Sequence, residues 1–144
     1  MLISDVLRSK GHEVVRVHPG DGVADAVCKL AEKRIGAVVV EDRWMKMVGI
    51  FSERDLLNAI ARRGAAALSC PVSEFMTAPV VTCRPADRID SVLGVMTLRR
   101  IRHLPVLENG ALVGIVSIGD LIKHRLDEKE LEANVLLDLS RMRA

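Results

Sequence analysis

The chain repeats itself. Pro19 and Pro85 lie 66 positions apart, as do Asp21 and Asp87, Val23 and Ile89, Val27 and Leu93, Leu30 and Met96, and Ile35 and Ile101. Gly49 and Gly114, Ser52 and Ser117, and Asp55 and Asp120 lie 65 apart, so one residue is dropped in between. A register held this long marks two copies of one supersecondary unit that bury a shared core. In 144 residues there is room for these copies and none for a separate enzyme domain, so any ligand site is built from the repeats.

Each copy carries the same order of signals. Residues 14–17 read as a short strand, and Val23, Ala26, Val27, Leu30 and Ala31 then recur at helical spacing. Residues 37–40 and 48–51 read as apolar strands joined by a charged stretch, where the second copy has Asn109-Gly110, a strong hairpin signal. A helix beginning near Ser52 or Ser117 closes each unit, giving β-α-β-β-α. The expected organisation is repeat one over residues 1–62, a linker over 63–72, repeat two over 73–126, and an added helix over 127–144. Two such units are expected to pack about a pseudo-twofold axis. With 49% apolar residues and only Trp44, Phe51 and Phe75 aromatic, the core must be aliphatic, which suits α/β layering.

Charge and cysteine usage exclude several classes. The 21 basic and 19 acidic residues are interspersed, which argues against a nucleic-acid arm or a membrane-binding patch. The densest basic stretch, residues 98–103, has no interleaved aromatic to stack a base. Cys28, Cys70 and Cys83 show no C-x-x-C spacing and read as reduced thiols. The four histidines, His12, His18, His103 and His124, are scattered, with no spacing that predicts a metal site or a nucleophile–base pair. No leader or membrane-spanning segment is legible, so the expected location is the cytoplasm and no enzymatic activity is expected.

The residues with most to say are Gly49-Ile50-Phe51-Ser52-Glu53-Arg54-Asp55 and Gly114-Ile115-Val116-Ser117-Ile118-Gly119-Asp120, each a strand running into a helix. Ser-x-x-Asp at a helix start is a capping box, and capping alone would explain one copy. The same geometry also offers free N–H groups and a hydroxyl to a phosphate, and a carboxylate to a ribose diol. Spacing alone leaves both readings open.

Paired β-α-β-β-α units ending in Gly-h-h-Ser-x-x-Asp (h, an apolar residue), with Phe75-Met76-Thr77 before the second and Ile101-Arg102-His103-Leu104-Pro105-Val106 within it, resemble the cystathionine β-synthase (CBS) domain family. The resemblance covers nearly the whole chain and is closest to stand-alone bacterial pairs. It implies a CBS pair (Bateman module), often dimeric, with adenosyl ligands such as AMP, ADP, ATP or S-adenosylmethionine in two clefts between the repeats. Carried over by motif, Ser117 and Asp120 would hold phosphate and ribose, with Arg102 and His103 near the phosphates and Gly36-Ala37 at the base. The related site would use Ser52 and Asp55, with Thr77-Ala78 at the base and Arg54 as an extra cation. Arg102 and His103 read equally well as a solvated strand edge.

The copies are not identical. The offset of 66 puts the counterpart of Thr77 near Gly11 and His12, but Ser73-Glu74-Phe75-Met76 matches Ser4-Asp5-Val6-Leu7 at an offset of 69, which leaves that counterpart open. Gly119 stands where the other motif has Arg54, which makes the clefts unequal. Beyond Asp127, Leu131, Val135, Leu139 and Met142 form one apolar stripe, which either covers its own module or binds a second subunit. The expected function is a homodimeric sensor passing its bound state to an effector protein; an NAD(H)-binding module and a ligand-free dimerisation scaffold are the alternatives.

Overall fold

The periodicities become elements close to their expected places. The computed structural model describes residues 1–143. They form α1 (Ile3–Lys10), β1 (Arg16–Val17), α2 (Val23–Lys33), β2 (Ala37–Glu41), β3 (Met47–Ser52), α3 (Glu53–Arg63), α4 (Ile89–Arg99), β4 (His103–Glu108), β5 (Ala111–Ser117) and α5 (Ile118–Met142). Two short 3-10 turns, Gly64–Ser69 and Val72–Glu74, connect α3 towards α4.

The first copy has the full β-α-β-β-α order, with β1 parallel to β2 and β2 antiparallel to β3. The second keeps the antiparallel β4–β5 pair, but its expected first strand shrinks to one parallel bridge between Cys83 and Val106. In the first copy Val39 N–H donates to the Val15 carbonyl at 3.0 Å; Pro105 stands at the matching place in β4 and, without an N–H, cannot make that bond. Asn109 and Gly110 take positive φ angles of 51° and 79°, as a two-residue hairpin requires. The stripe beyond Asp127 is no separate helix, because α5 runs unbroken from Ile118 to Met142 and prolongs the closing helix of the second copy.

The lead segment of each copy packs on the other copy. Ile3, Val6 and Leu7 of α1 join Ile89, Val92, Met96, Leu104, Val116 and Leu121 in one buried cluster. Val72, with Phe75 and Met76, joins Val17, Val23, Leu30, Val38 and Phe51 in the other. Backbone bonds repeat this exchange pair by pair. Ile3 and Ser4 N–H donate to Asp87 and Pro85 carbonyls at 2.9 Å each, and Val72 and Ser73 N–H donate to Asp21 and Pro19 at 2.7 and 3.0 Å. The offset of 69 belongs to these exchanged segments.

The two repeated glycines accommodate the exchange. A Cβ on Gly114 would lie 2.7 Å from Leu7 Cδ2, and one on Gly49 would lie 2.5 Å from Met76 Sδ. Strand and exchanged segment therefore approach closer than any side chain allows. Cys83 sits inside the cluster that α1 completes; burial, then the Asp87 charge, pushes its thiol up to about 12, so it acts as an apolar core residue.

Gly114→Ala is expected to cost about 1–3 kcal/mol by overpacking, and Leu7→Ala about 2–5 kcal/mol by leaving a cavity. Because both act on one contact, the double variant should lose clearly less than the sum in denaturant unfolding. Strict additivity would show that the contact is not shared.

Candidate ligand-binding clefts

Each third strand delivers its serine to a helix N-terminus, and the chain there reverses into a capping box. Ser52 N–H donates to Asp55 Oδ2 at 2.8 Å, and Asp55 N–H donates back to Ser52 Oγ at 3.4 Å. Ser117 N–H donates to Asp120 Oδ2 at 2.9 Å, and Asp120 N–H to Ser117 Oγ at 3.1 Å. The box fixes each carboxylate one turn into its helix. Each is also on the wall of a cleft.

The cleft holding Ser117 and Asp120 measures about 360 Å³ and is lined also by Gly11, Gly36, Ala37, Ile115 and His103. Its expected counterpart of Thr77 is supplied by Lys10, at the end of α1, which sequence reasoning missed. Lys10 Nζ lies 2.5 Å from Asp120 Oδ2 and donates to the Ile115 carbonyl at 2.8 Å. Burial pushes the Asp120 carboxyl up, but the hydrogen bonds from Lys10 and from the Ser117 backbone outweigh it and hold the group below its ordinary value of 3.8. His12 does not line this cleft; its Nδ1 lies 2.9 Å from the Val113 carbonyl. Also missed were Glu13, Lys33 and Arg34, the first two an ion pair at 3.8 Å.

The cleft holding Ser52 and Asp55 measures about 380 Å³ and is lined also by Gly36, Arg54, Thr77, Arg100, Arg102 and His103. Thr77 Oγ1 donates to Asp55 Oδ1 at 2.8 Å, and its backbone exchanges bonds with Ile50 at 3.0 and 2.8 Å. Ala78 follows Thr77 but is not on the lining. Arg102, expected beside Asp120, lines this cleft and not the other. Arg102 precedes β4, and its neighbour His103 lines this cleft as well.

Between the two clefts lies His103, which lines both with Gly36. A Cβ on Gly36 would lie 2.7 Å from the imidazole, so only glycine leaves room for that ring. Burial, with Lys10 and Arg102 adding to it against Glu53 and Asp120, pushes the His103 pKa below its ordinary 6.5, so the wall between the clefts is neutral at pH 7. Among the described residues no cluster of histidine, cysteine or carboxylate is placed to hold a metal, and no helix is long and apolar enough to cross a membrane.

A family model described as CBS domain matches residues 3–62 and 72–127. The crystal structure of the CBS-domain containing protein ATU1752 from Agrobacterium tumefaciens superposes with a TM-score of 0.84 at 46% identity, over 86% of this chain and 92% of that one. The mitochondrial CBS domain-containing protein CBSX3 of Arabidopsis thaliana is 33% identical over 92% of this chain and 71% of its own length. The CBS domain pair of protein MJ0100, solved with 5′-methylthioadenosine and S-adenosyl-L-methionine, gives a TM-score of 0.77 at 25% identity, over 90% of this chain and 98% of that one.

Lys10→Met is expected to raise the Asp120 carboxyl pKa, since burial then acts with less opposition; a carboxylate titration by NMR reads it directly. A carboxyl held low in the folded state stabilises above its unfolded pKa and loses that contribution as pH falls through the folded value. The parent should thus exceed the variant by about 0.2–1 kcal/mol at pH 6, and the gap should close below about pH 4. A gap that persists into acid would assign Lys10 a packing role.

Proposed function

The chain belongs to the CBS domain family, of which it carries two repeats, and on that premise we propose that it is a regulatory module whose clefts bind adenosyl ligands without transforming them. The observation that carries this reading is the doubled placement of Asp55 and Asp120. Each is fixed by its own cap and each lines a cleft of about 380 or 360 Å³, a size suited to a small molecule. Within a cleft, the carboxylate accepts from the vicinal hydroxyls of a ribose, and the serine hydroxyl and helix N-terminus receive a phosphate or carboxylate. Apolar and small residues, Ile35, Gly36 and Ala37 in one cleft and Ile50, Leu57 and Ile101 in the other, offer a surface for the base.

The complex of the MJ0100 pair with two adenosyl compounds supports this ligand class. AMP, ADP, ATP and S-adenosylmethionine are the candidates, and NAD(H) fits by its adenosyl half. An adenosyl ligand that bridges residues of both copies stabilises one arrangement of the halves, which an effector protein then reads. The free thiols of Cys28, Cys70 and Cys83 suit a reducing compartment such as the cytoplasm. A ligand-free scaffold is the second reading. It is favoured by the bonds that already occupy both carboxylates, from Thr77 on Asp55 and from Lys10 on Asp120.

The same reading includes a homodimer. Leu131, Val135, Leu139 and Met142 on the projecting part of α5 are 61, 50, 52 and 81% exposed, an apolar stripe that a second copy would cover. Removing residues 127–144 should leave the fold intact and turn the dimer into a monomer by sedimentation; an unchanged dimer would assign the contact elsewhere.

Calorimetric titration with adenosyl ligands should show binding, and Asp55→Asn or Asp120→Asn should weaken it. Asparagine keeps the cap to within about 1 kcal/mol, whereas a hydrogen bond to a charged group contributes about 1.5–3 kcal/mol, roughly ten- to a hundredfold in affinity. Binding equal to the parent in both variants would make the carboxylates caps only, and absence of binding in the parent would favour the scaffold.

A further inference from the structure

Each cleft is lined by three cations and two carboxylates, but these are paired differently. Lys10, Lys33 and Arg34 line the first beside Glu13 and Asp120; Arg54, Arg100 and Arg102 line the second beside Glu53 and Asp55. In the first, two cations are already paired, Lys10 with Asp120 at 2.5 Å and Lys33 with Glu13 at 3.8 Å. In the second, among the described residues, none of the three arginines has a carboxylate within ion-pair distance, while Asp55 is engaged by Ser52 and Thr77. Arg54 Nη1 instead donates to the backbone carbonyl of Arg100, which ties two of the arginines together at the cleft.

The internal repeat shows where this difference arises. Arg34 and Arg100 occupy matching positions, each in the left-handed conformation that ends its helix, at φ 53° and 55°. The other two arginines have glycines as counterparts: Gly119 for Arg54 and Gly36 for Arg102. One cleft thus gathers three guanidinium groups, none of them ion-paired among the described residues although Glu53 and Asp55 share the lining, and these planar forks match the oxygens of phosphate. The N-terminus of α3, an eleven-residue helix, adds its partial positive charge from the floor.

We propose that the two clefts sort ligands by phosphate charge, the Ser52–Asp55 cleft being the site for a nucleoside di- or triphosphate and the Ser117–Asp120 cleft for an adenosyl ligand with one phosphate or none. The inference rests on the adenosyl reading for the nucleoside part, and on the arginine cluster alone for the polyphosphate part. An anion in the second cleft gives these arginines charge-assisted bonds. An extra phosphate in the first meets cations already neutralised, with Arg34 alone left to receive it.

The test is calorimetric titration of the full chain with adenosine, AMP, ADP, ATP and inorganic tripolyphosphate. At one site the affinity should rise by about tenfold or more from AMP to ATP, and that gain should shrink with added salt. Arg54→Ala and Arg102→Ala should each weaken ATP at that site by roughly tenfold and leave adenosine binding in place. Arg43→Ala, on the β2–β3 hairpin outside both clefts, removes the same charge and should change nothing. All three side chains are exposed, so unchanged melting without ligand checks the fold. Equal affinities for AMP and ATP, or a polyphosphate preference indifferent to Arg54 and Arg102, would overturn the assignment. Binding of tripolyphosphate that depends on these arginines, with no adenosyl ligand bound at any site, would retain the anion site and sink the adenosyl reading instead.

Discussion

The exchange of lead segments is the constraint on which the rest of the molecule depends. Neither copy closes its own core: the second needs Ile3, Val6 and Leu7 from the start of the chain, and the first needs Val72, Phe75 and Met76 from after the linker. Two half-cores that each require a piece of the other cannot drift apart as beads on a string. The exchange also makes the clefts. It brings Lys10 and Gly11 to the motif at Ser117–Asp120, and Thr77 to the motif at Ser52–Asp55, although each lies far along the chain from its partner. A ligand in either cleft therefore touches both copies, and its binding energy acts on the contact between them.

Cap and site are two consequences of one local geometry. A serine leaving a strand with extended dihedrals, φ −118° and ψ 170° at Ser52 and −103° and 161° at Ser117, cannot continue the helix behind itself, so its hydroxyl turns to the third residue on. The aspartate there returns the bond and is immobilised at almost no entropic cost to a later ligand, since its rotamer is already fixed. What distinguishes the two copies is the second donor on each carboxylate. A neutral hydroxyl from Thr77 serves Asp55, and an ammonium from Lys10 serves Asp120.

The repeat, the helical periods, the Asn-Gly hairpin and both serine caps were legible because each is a local pattern or an offset that can be counted. The offset of 69 was visible as well, but what it encodes is not local: nothing in Ser4-Asp5-Val6-Leu7 states that Leu7 belongs against Gly114. Lys10 was missed for that reason, since its role comes only from the end of α1 being carried to β5. The first strand of the second copy looked equal to that of the first by its apolar residues, but Pro105 on the neighbouring strand lacks the N–H that Val39 donates in the first copy, which leaves the Cys83 bridge. Arg102 was assigned to the other cleft because its motif runs into β4, and nothing local in that motif states which of the two clefts the residue before the strand will line.

The wall between the clefts is where the pseudo-twofold breaks most sharply, and it breaks by necessity. By the repeat, Gly36 matches Arg102 and Ala37 matches His103, so a symmetric wall would bring either two bulky pairs or two small pairs to one line. Two bulky pairs would not fit: even one methyl on Gly36 would stand 2.7 Å from the His103 ring. One glycine facing one histidine closes the wall with a single ring, and that ring necessarily lines both sites. Because burial keeps it neutral, it separates two compartments whose charges are differently paired without adding charge to either. Asymmetry between the clefts is thus not a decoration on a symmetric scaffold; it follows from how two copies of one strand can meet.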